Sequence, residues 1–174
     1  VKEACFTVIE KLLEVGNDVL ITTKPKLSIT EDIIKRFSPF KKQLQFRFTI
    51  TSLNNQLLSF WEPNAPTYEE RFMSLKYAYE KAFKTSVSIE PFLDHTPQKL
   101  VRILSPYVSE SIWLGPMNYI PKNGIYNGDE QQYAQIREEY ELSHLWDIYE
   151  DLKDFPLIRF KDSLMNRLDI APCI

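Results

Sequence analysis

The sequence predicts an α/β fold in which parallel strands alternate with helices. Three observations carry this. Short apolar runs alternate with longer amphipathic segments along the whole chain. One segment, Leu44 to Thr51, switches between apolar and polar residues with a period of two. Two further segments carry serine or threonine three residues ahead of glutamate, the spacing of a capping box. The 174 residues amount to one domain by length, and 44% hydrophobic residues supply enough apolar surface for its core.

In order, Val1 to Gly16 places Phe6, Ile9, Leu12 and Leu13 on one helical stripe, and the glycine suits a C-terminal cap. Asp18 to Thr23 has a fully apolar centre, Val19-Leu20-Ile21, the pattern of a strand covered on both faces. Ser28 and Glu31 start a helix toward Ile33, Ile34 and Phe37. Leu44, Phe46, Phe48 and Ile50 then form one face of a strand, with Gln45, Arg47, Thr49 and Thr51 on the other. Thr67 and Glu70 cap a helix carrying Phe72, Leu75, Tyr79 and Phe83. Thr85 to Ile89 reads as a strand, Thr96-Pro97 as a helix start with proline at the first helical position, and Ser111 to Leu114 as a strand. Asp129 to Lys153 reads as one long charged helix, its inward stripe Tyr133, Ile136, Tyr140, Leu145, Ile148 and Leu152. A last strand at Leu157 to Phe160 and a short terminal helix complete the chain, giving a unit over 1–128 and a helical extension with a last strand over 129–174 in the same compact body.

This alternation means βαβ crossovers and a parallel sheet, either part of a (β/α) barrel or doubly wound. Polar residues cluster where strands end, at Thr22, Thr23 and Lys24, at Thr49, Thr51 and Ser52, at Ser88 and Glu90, and at Asn118. In both architectures ligands sit beyond the carboxyl ends of strands, so these residues mark one candidate site. No glycine-rich phosphate loop follows a strand, and the chain has four glycines. No Gly-x-Ser-x-Gly elbow or cysteine–histidine pairing supports a hydrolase or transferase. The two cysteines, Cys5 and Cys173, stand near opposite ends in no metal-binding spacing, which predicts a reducing, cytoplasmic setting. The net charge of −3, with acidic residues concentrated from Asp129 to Asp154, offers no stripe for nucleic acid. No apolar run approaches the ~20 residues of a membrane span.

The strings Ile21-Thr-Thr-Lys24-Pro25, Arg47-Phe-Thr-Ile-Thr-Ser52, Trp61-Glu62-Pro63-Asn64-Ala65-Pro66 with Glu69-Glu70-Arg71, and Val87-Ser-Ile-Glu90-Pro91 occur in this order. Together, from about Asp18 to Asn118, they resemble radical S-adenosylmethionine (SAM) proteins of the spore photoproduct lyase-like group. The resemblance implies a partial (β/α) barrel made of barrel strands three onward, with Val1 in the helix after the second. It implies a parent enzyme that cleaves SAM to a 5′-deoxyadenosyl radical at a [4Fe-4S] cluster. The Cys-x3-Cys-x2-Cys loop and the Gly-Gly-Glu-type motif of that group are not in this sequence, so no cofactor is expected on this chain alone, and its substrate is not implied. Lys24 would meet the SAM carboxylate; Thr49, Thr51 or Ser52 the ribose; Ser88 and Glu90 would line the same mouth; and the backbone from Trp113 to Gly115 would pass the adenine. The other reading is a half-barrel that binds or regulates without catalysis. A barrel entered at its third strand also leaves the Asp18–Thr23 edge unpaired, an invitation to a homodimer unless the first helix blunts it.

These residues also have plain structural readings. Lys24 suits a solvated loop, Thr49 and Thr51 a polar strand face, and Glu62 an ion pair at a helix end, with the motif around it shaping a turn. Glu90 follows an apolar strand run, where a carboxylate belongs either to a site or to a structural pair. His95 and His144 fall on different predicted elements without a cysteine, so no metal site is expected. Trp61, Trp113 and Trp146 read as packing residues.

Overall fold

The computed structural model describes residues 2–121 and 129–171. Val1, Cys173 and the expected boundary at 128 therefore lie outside the described residues. Five parallel strands, β1 (Val19–Thr23), β2 (Leu44–Thr49), β3 (Lys84–Ile89), β4 (Ile112–Leu114) and β5 (Ile158–Phe160), form one sheet. Their spatial order is β1-β2-β3-β4-β5, the order of the sequence. A doubly wound sheet needs a reversal in this order, and there is none, so with crossovers of one hand every connection lies on the same face. The fold is α/β with an all-parallel sheet, wound as a segment of a (β/α) barrel would be.

The register makes the two faces chemically distinct. Side chains paired across parallel strands share a face, which puts Leu44, Phe46, Phe48, Val87, Ile89, Ile112 and Leu114 together, and all seven are fully buried. The helices cover this side. The opposite face carries Leu20, Thr22, Gln45, Arg47, Thr49, Ser86, Ser88, Trp113 and Arg159. It is polar throughout except at Leu20 and Trp113. This corrects the reading of β1 as covered on both faces: Leu20 is 45% exposed, because it lies on the polar side at a sheet edge.

Helix α1 (Lys2–Glu14) buries Phe6 and Leu13, and Gly16 takes φ +89° behind it, as a glycine cap requires. Leu12, expected on the buried stripe, is 41% exposed, because α1 meets its neighbour along the narrower Phe6–Leu13 line. Helix α2 (Leu27–Phe37) begins earlier than the Ser28–Glu31 spacing predicted: its N-cap is Lys26, without a side-chain bond. The Glu70 carboxylate, from another helix, accepts the Leu27 N–H at 3.4 Å instead. Helix α3 (Asn55–Trp61) was not predicted, although Asn54 caps it by accepting the Gln56 N–H at 2.8 Å.

Helix α4 (Tyr68–Glu80) starts at Thr67 as predicted, the threonine hydroxyl accepting the Glu70 N–H at 3.4 Å. Its buried stripe is Arg71, Ser74, Leu75 and Ala78, so Tyr79, expected inside, is exposed. Helix α5 (Pro97–Leu104) has proline at its start, but Thr96 makes no cap bond. The long helix expected from Asp129 to Lys153 is two, α6 (Glu130–Glu138) and α7 (Leu142–Leu152), with Glu141 extended between them at φ −66°, ψ 146°. The whole predicted stripe is buried nonetheless. Its spacing explains the break. Tyr140 and Leu145 are five residues apart, about 140° around a continuous helix, and the two share one core only if the helix stops and restarts. Helix α8 (Asp162–Met165) is the last helix among the described residues. Trp146, expected to pack, is 41% exposed. Among the described residues no helix is long and apolar enough to cross a membrane.

Candidate functional site

The candidate residues follow the carboxyl ends of β1, β2, β3 and β4. Lys24 follows β1, 44% exposed, its Nζ 3.7 Å from Glu62 Oε1. Glu62 sits at the C-cap of α3 and is held from two further directions. The Thr51 hydroxyl donates to Oε1 at 2.9 Å, and Arg71 Nη2 faces Oε2 at 2.6 Å. That last contact is an ion pair, and neither of its two atoms has a hydrogen bond among the described residues. Arg71 is fully buried and also donates to the carbonyls of Pro66 and Thr49, at 2.8 and 3.2 Å. The Glu-Pro-Asn-Ala segment forms a turn, with Ala65 N–H bonded to the Glu62 carbonyl at 3.1 Å and Asn64 at φ 66°. Asparagine tolerates that left-handed conformation better than most residues. The helix-end ion pair and turn expected for this motif are therefore present.

Thr51 and Ser52 are fully buried. Ser52 donates to Asp94, accepts the Asn54 N–H at 2.8 Å, and Asp94 also accepts the Leu53 N–H at 2.8 Å. The Ser52 hydroxyl thus ties the loop after β2 to the loop after β3, while the Thr51 hydroxyl ties the end of β2 to the end of α3. Thr49 and Ser88, paired in register, face the polar side of the sheet; Thr49 is half-buried and Ser88 is 8% exposed.

Glu90 follows β3 and pairs with Lys161 Nζ at 2.9 Å, while the Ser163 hydroxyl donates to it at 3.4 Å. The Glu90–Pro91 peptide is cis. Lys161 Nζ and the Arg47 guanidinium each lie 5.2 Å from the Trp113 ring centre, within cation–π range. Gly115 closes this corner. A Cβ there would lie 2.8 Å from Lys161 Cβ and 2.8 Å from Ser163 Oγ, so the glycine admits this chain's own β5–α8 turn. Arg47, Arg71, Lys161 and Ser163 were not among the expected site residues. For Arg71 a signal existed, since it continues the Ser74–Leu75–Ala78 stripe at helical spacing. Lys161 had none.

His95 and His144, expected apart on different elements, meet across Glu139. His95 Nδ1 bonds the Glu139 carboxylate, and His144 Nε2 donates to the His95 carbonyl at 2.8 Å. The break between α6 and α7 makes this possible.

The polar face offers an ammonium at Lys24 and hydroxyls at Thr49 and Ser88, while the Trp113 ring already carries the Arg47 and Lys161 cations. These donor types are hard nitrogen and oxygen groups. They do not suit an iron–sulfur cluster. Cys5 is exposed on α1 and is the sole cysteine among the described residues, whereas a [4Fe-4S] site takes several converging thiolates. No family model matches the chain, and neither does any curated protein or solved structure.

Proposed function

We propose that this chain forms the SAM-binding wall of a radical SAM barrel whose cluster is carried by residues outside this sequence. One observation carries the reading: a parallel sheet wound in one direction, apolar on the helix side and polar on the other, with Lys24, Thr49 and Ser88 at or near the carboxyl ends of adjacent strands. Parallel sheets are ordinarily covered on both faces by apolar layers, so a face left polar suits a polar ligand or water in place of a second helical layer. Lys24 would hold the SAM carboxylate, because a compact ammonium on a half-exposed stem reaches a small anion while Glu62 keeps it near the sheet. Thr49 and Ser88 would meet the ribose, the role in which Thr51 and Ser52 have no free hydroxyl proton to offer. Glu90, already paired with Lys161, would set the rim rather than bind directly. The cofactor pair supplies the radical chemistry; these residues supply position and shelter from water.

The test is calorimetric titration of SAM into the chain joined to a cluster-binding segment. Saturable binding, weakened in Lys24→Ala by about 1.5–3 kcal/mol, supports the proposal. No saturable binding, or equal affinity in the variant, overturns it. A half-barrel that binds without catalysis is favoured by one observation, that Thr51, Ser52, Glu90 and Gly115 all have partners within the chain. Joined to a cluster-binding segment and reduced anaerobically, the chain yields 5′-deoxyadenosine under the first reading and none under the second.

A further inference from the structure

We propose that His95, Glu139 and His144 form a binding site for a divalent transition metal of the zinc class, separate from the polar sheet face. The argument begins with the helix break. In one continuous helix, residues 139 and 144 would point about 140° apart. The turn at Glu141 instead sends Glu139, at the end of α6, and His144, in the first turn of α7, toward one loop. That loop is anchored on both sides of the site. Asp94, next to His95, is fixed by Ser52 and the Leu53 N–H. Tyr140, next to Glu139, donates to the Phe92 carbonyl at 2.5 Å and packs edge-on against the Phe92 ring.

The donor atoms of the three side chains all lie within 4.8 Å of one another, and Glu139 Oε2 is 3.7 Å from His144 Nε2. Tetrahedral ligands held at about 2.0–2.2 Å from zinc stand roughly 3.4 Å apart, so a small closure suffices. Two imidazoles and one carboxylate are a donor set that favours zinc and its neighbours over magnesium or calcium. Charge points the same way. Glu139 is 7% exposed, and its charge partners among the described residues are the two imidazoles. A carboxylate this buried faces two imidazoles, and an ion held among all three would give it a full countercharge. Beside it opens a cleft of about 10 Å³, room for one water, lined by Leu57, Trp61, Leu93 and Gln132 among others. Gln132 Oε1 is buried with no hydrogen-bond partner among the described residues, an acceptor available to a metal-bound water.

One rearrangement is required. The two imidazole rings stack 4.4 Å apart and within 6° of parallel, whereas an ion ligated by both must lie close to both ring planes. His95, whose side chain is 72% exposed, can turn at the cost of its stack on His144 alone among ring contacts in the described residues. As the ion enters, the N–H protons facing the carboxylate and the His95 carbonyl move to the other ring nitrogens, which neutral imidazole permits without net proton loss.

Titration of Co²⁺ into the chelator-treated chain, followed by its visible bands and by displacement with Zn²⁺, tests the site. One-to-one Co²⁺ binding is expected, weakened about 10- to 100-fold or more in His95→Ala and in Glu139→Gln, since loss of even an outer partner costs that much. His95→Ala removes an exposed side chain and leaves the fold intact, so a failure to fold in Glu139→Gln does not leave the question open. No saturable Co²⁺ spectrum, or binding by His95→Ala as tight as by the parent, overturns the proposal. The readout is independent of SAM, so the two proposals fail separately.

Discussion

Arg71 and Glu62 face each other at 2.6 Å, the arginine fully buried and the glutamate side chain 7% exposed. The pair ties the first turn of α4 to the C-cap of α3, and through the Thr49 carbonyl to the end of β2. Desolvating two charges is costly, and the cost is recovered only while both are present. Arg71→Ala should therefore destabilise the chain by about 3–5 kcal/mol, the range for breaking a buried pair. Guanidinium unfolding of parent and variant measures it. A loss under about 1 kcal/mol would mean that surface-type screening governs this pair.

Gly115 is tight for a different reason. Its would-be Cβ meets Lys161 Cβ, a stem atom close to the backbone that cannot rotate away. Gly115→Ala should cost about 1–3 kcal/mol through overpacking. It should also push Lys161 from Glu90 and Trp113, changing Trp113 fluorescence. Unchanged stability and emission would show that the β5–α8 turn yields freely.

Tyr140 gives a pH prediction. Burial pushes its hydroxyl well above the usual tyrosine range, with Arg167 opposing and the Glu139 charge adding to the rise. A raised acid is held neutral in the folded state, while the unfolded state ionises near pH 10. Stability from this group is therefore fully present below about pH 10 and is lost as pH rises above it. Denaturation midpoints between pH 8 and 11, an interval set about the tyrosine reference value, should fall in the parent and fall less in Tyr140→Phe. The variant should also lose about 1–3 kcal/mol at neutral pH, because the Phe92 carbonyl loses its donor. Parallel pH profiles would rule this out.

Much of the fold was legible because period and capping are local. The alternation through β2 set the two sheet faces, since a side chain one residue out of phase must point the other way. Gly16 and Thr67 marked helix ends by their own chemistry. What escaped was tertiary. The start of α2 is set by Glu70 from another helix, which no spacing within residues 26–31 encodes. The α6–α7 break was written in the five-residue gap between Tyr140 and Leu145, but both residues are buried, so hydrophobicity alone ran the two helices together. At the site, strand ends located Lys24, Thr49, Ser88 and Glu90. Hydroxyls consumed by neighbours, at Thr51 and Ser52, look the same in sequence as free ones. Pairings across long separations, such as Glu90 with Lys161, have no local trace.

The edge at β1 gives the last prediction. Among the described residues β1 ends the sheet, pairing with β2 alone, so one side of its backbone has no strand partner there. Natural edges are blunted by charge, proline or a bulge. Here Lys24 and Pro25 stand only after the strand, and Val19-Leu20-Ile21 has no such guard within it. Helix α1 turns its buried residues elsewhere: Phe6 packs edge-on against Phe37 of α2, at 5.8 Å between ring centres, and Leu20 stays 45% exposed. A two-fold pairing of β1 edges would satisfy both backbones and cover both Leu20 side chains at once, since an isologous contact uses the same patch on each copy. Sedimentation equilibrium should show the average mass rising above 20.5 kDa with concentration. Leu20→Lys should hold it at that value, because two lysines brought together at the pairing line repel and resist burial. A parent mass that stays at 20.5 kDa across the concentration range would show that the edge is protected within one chain.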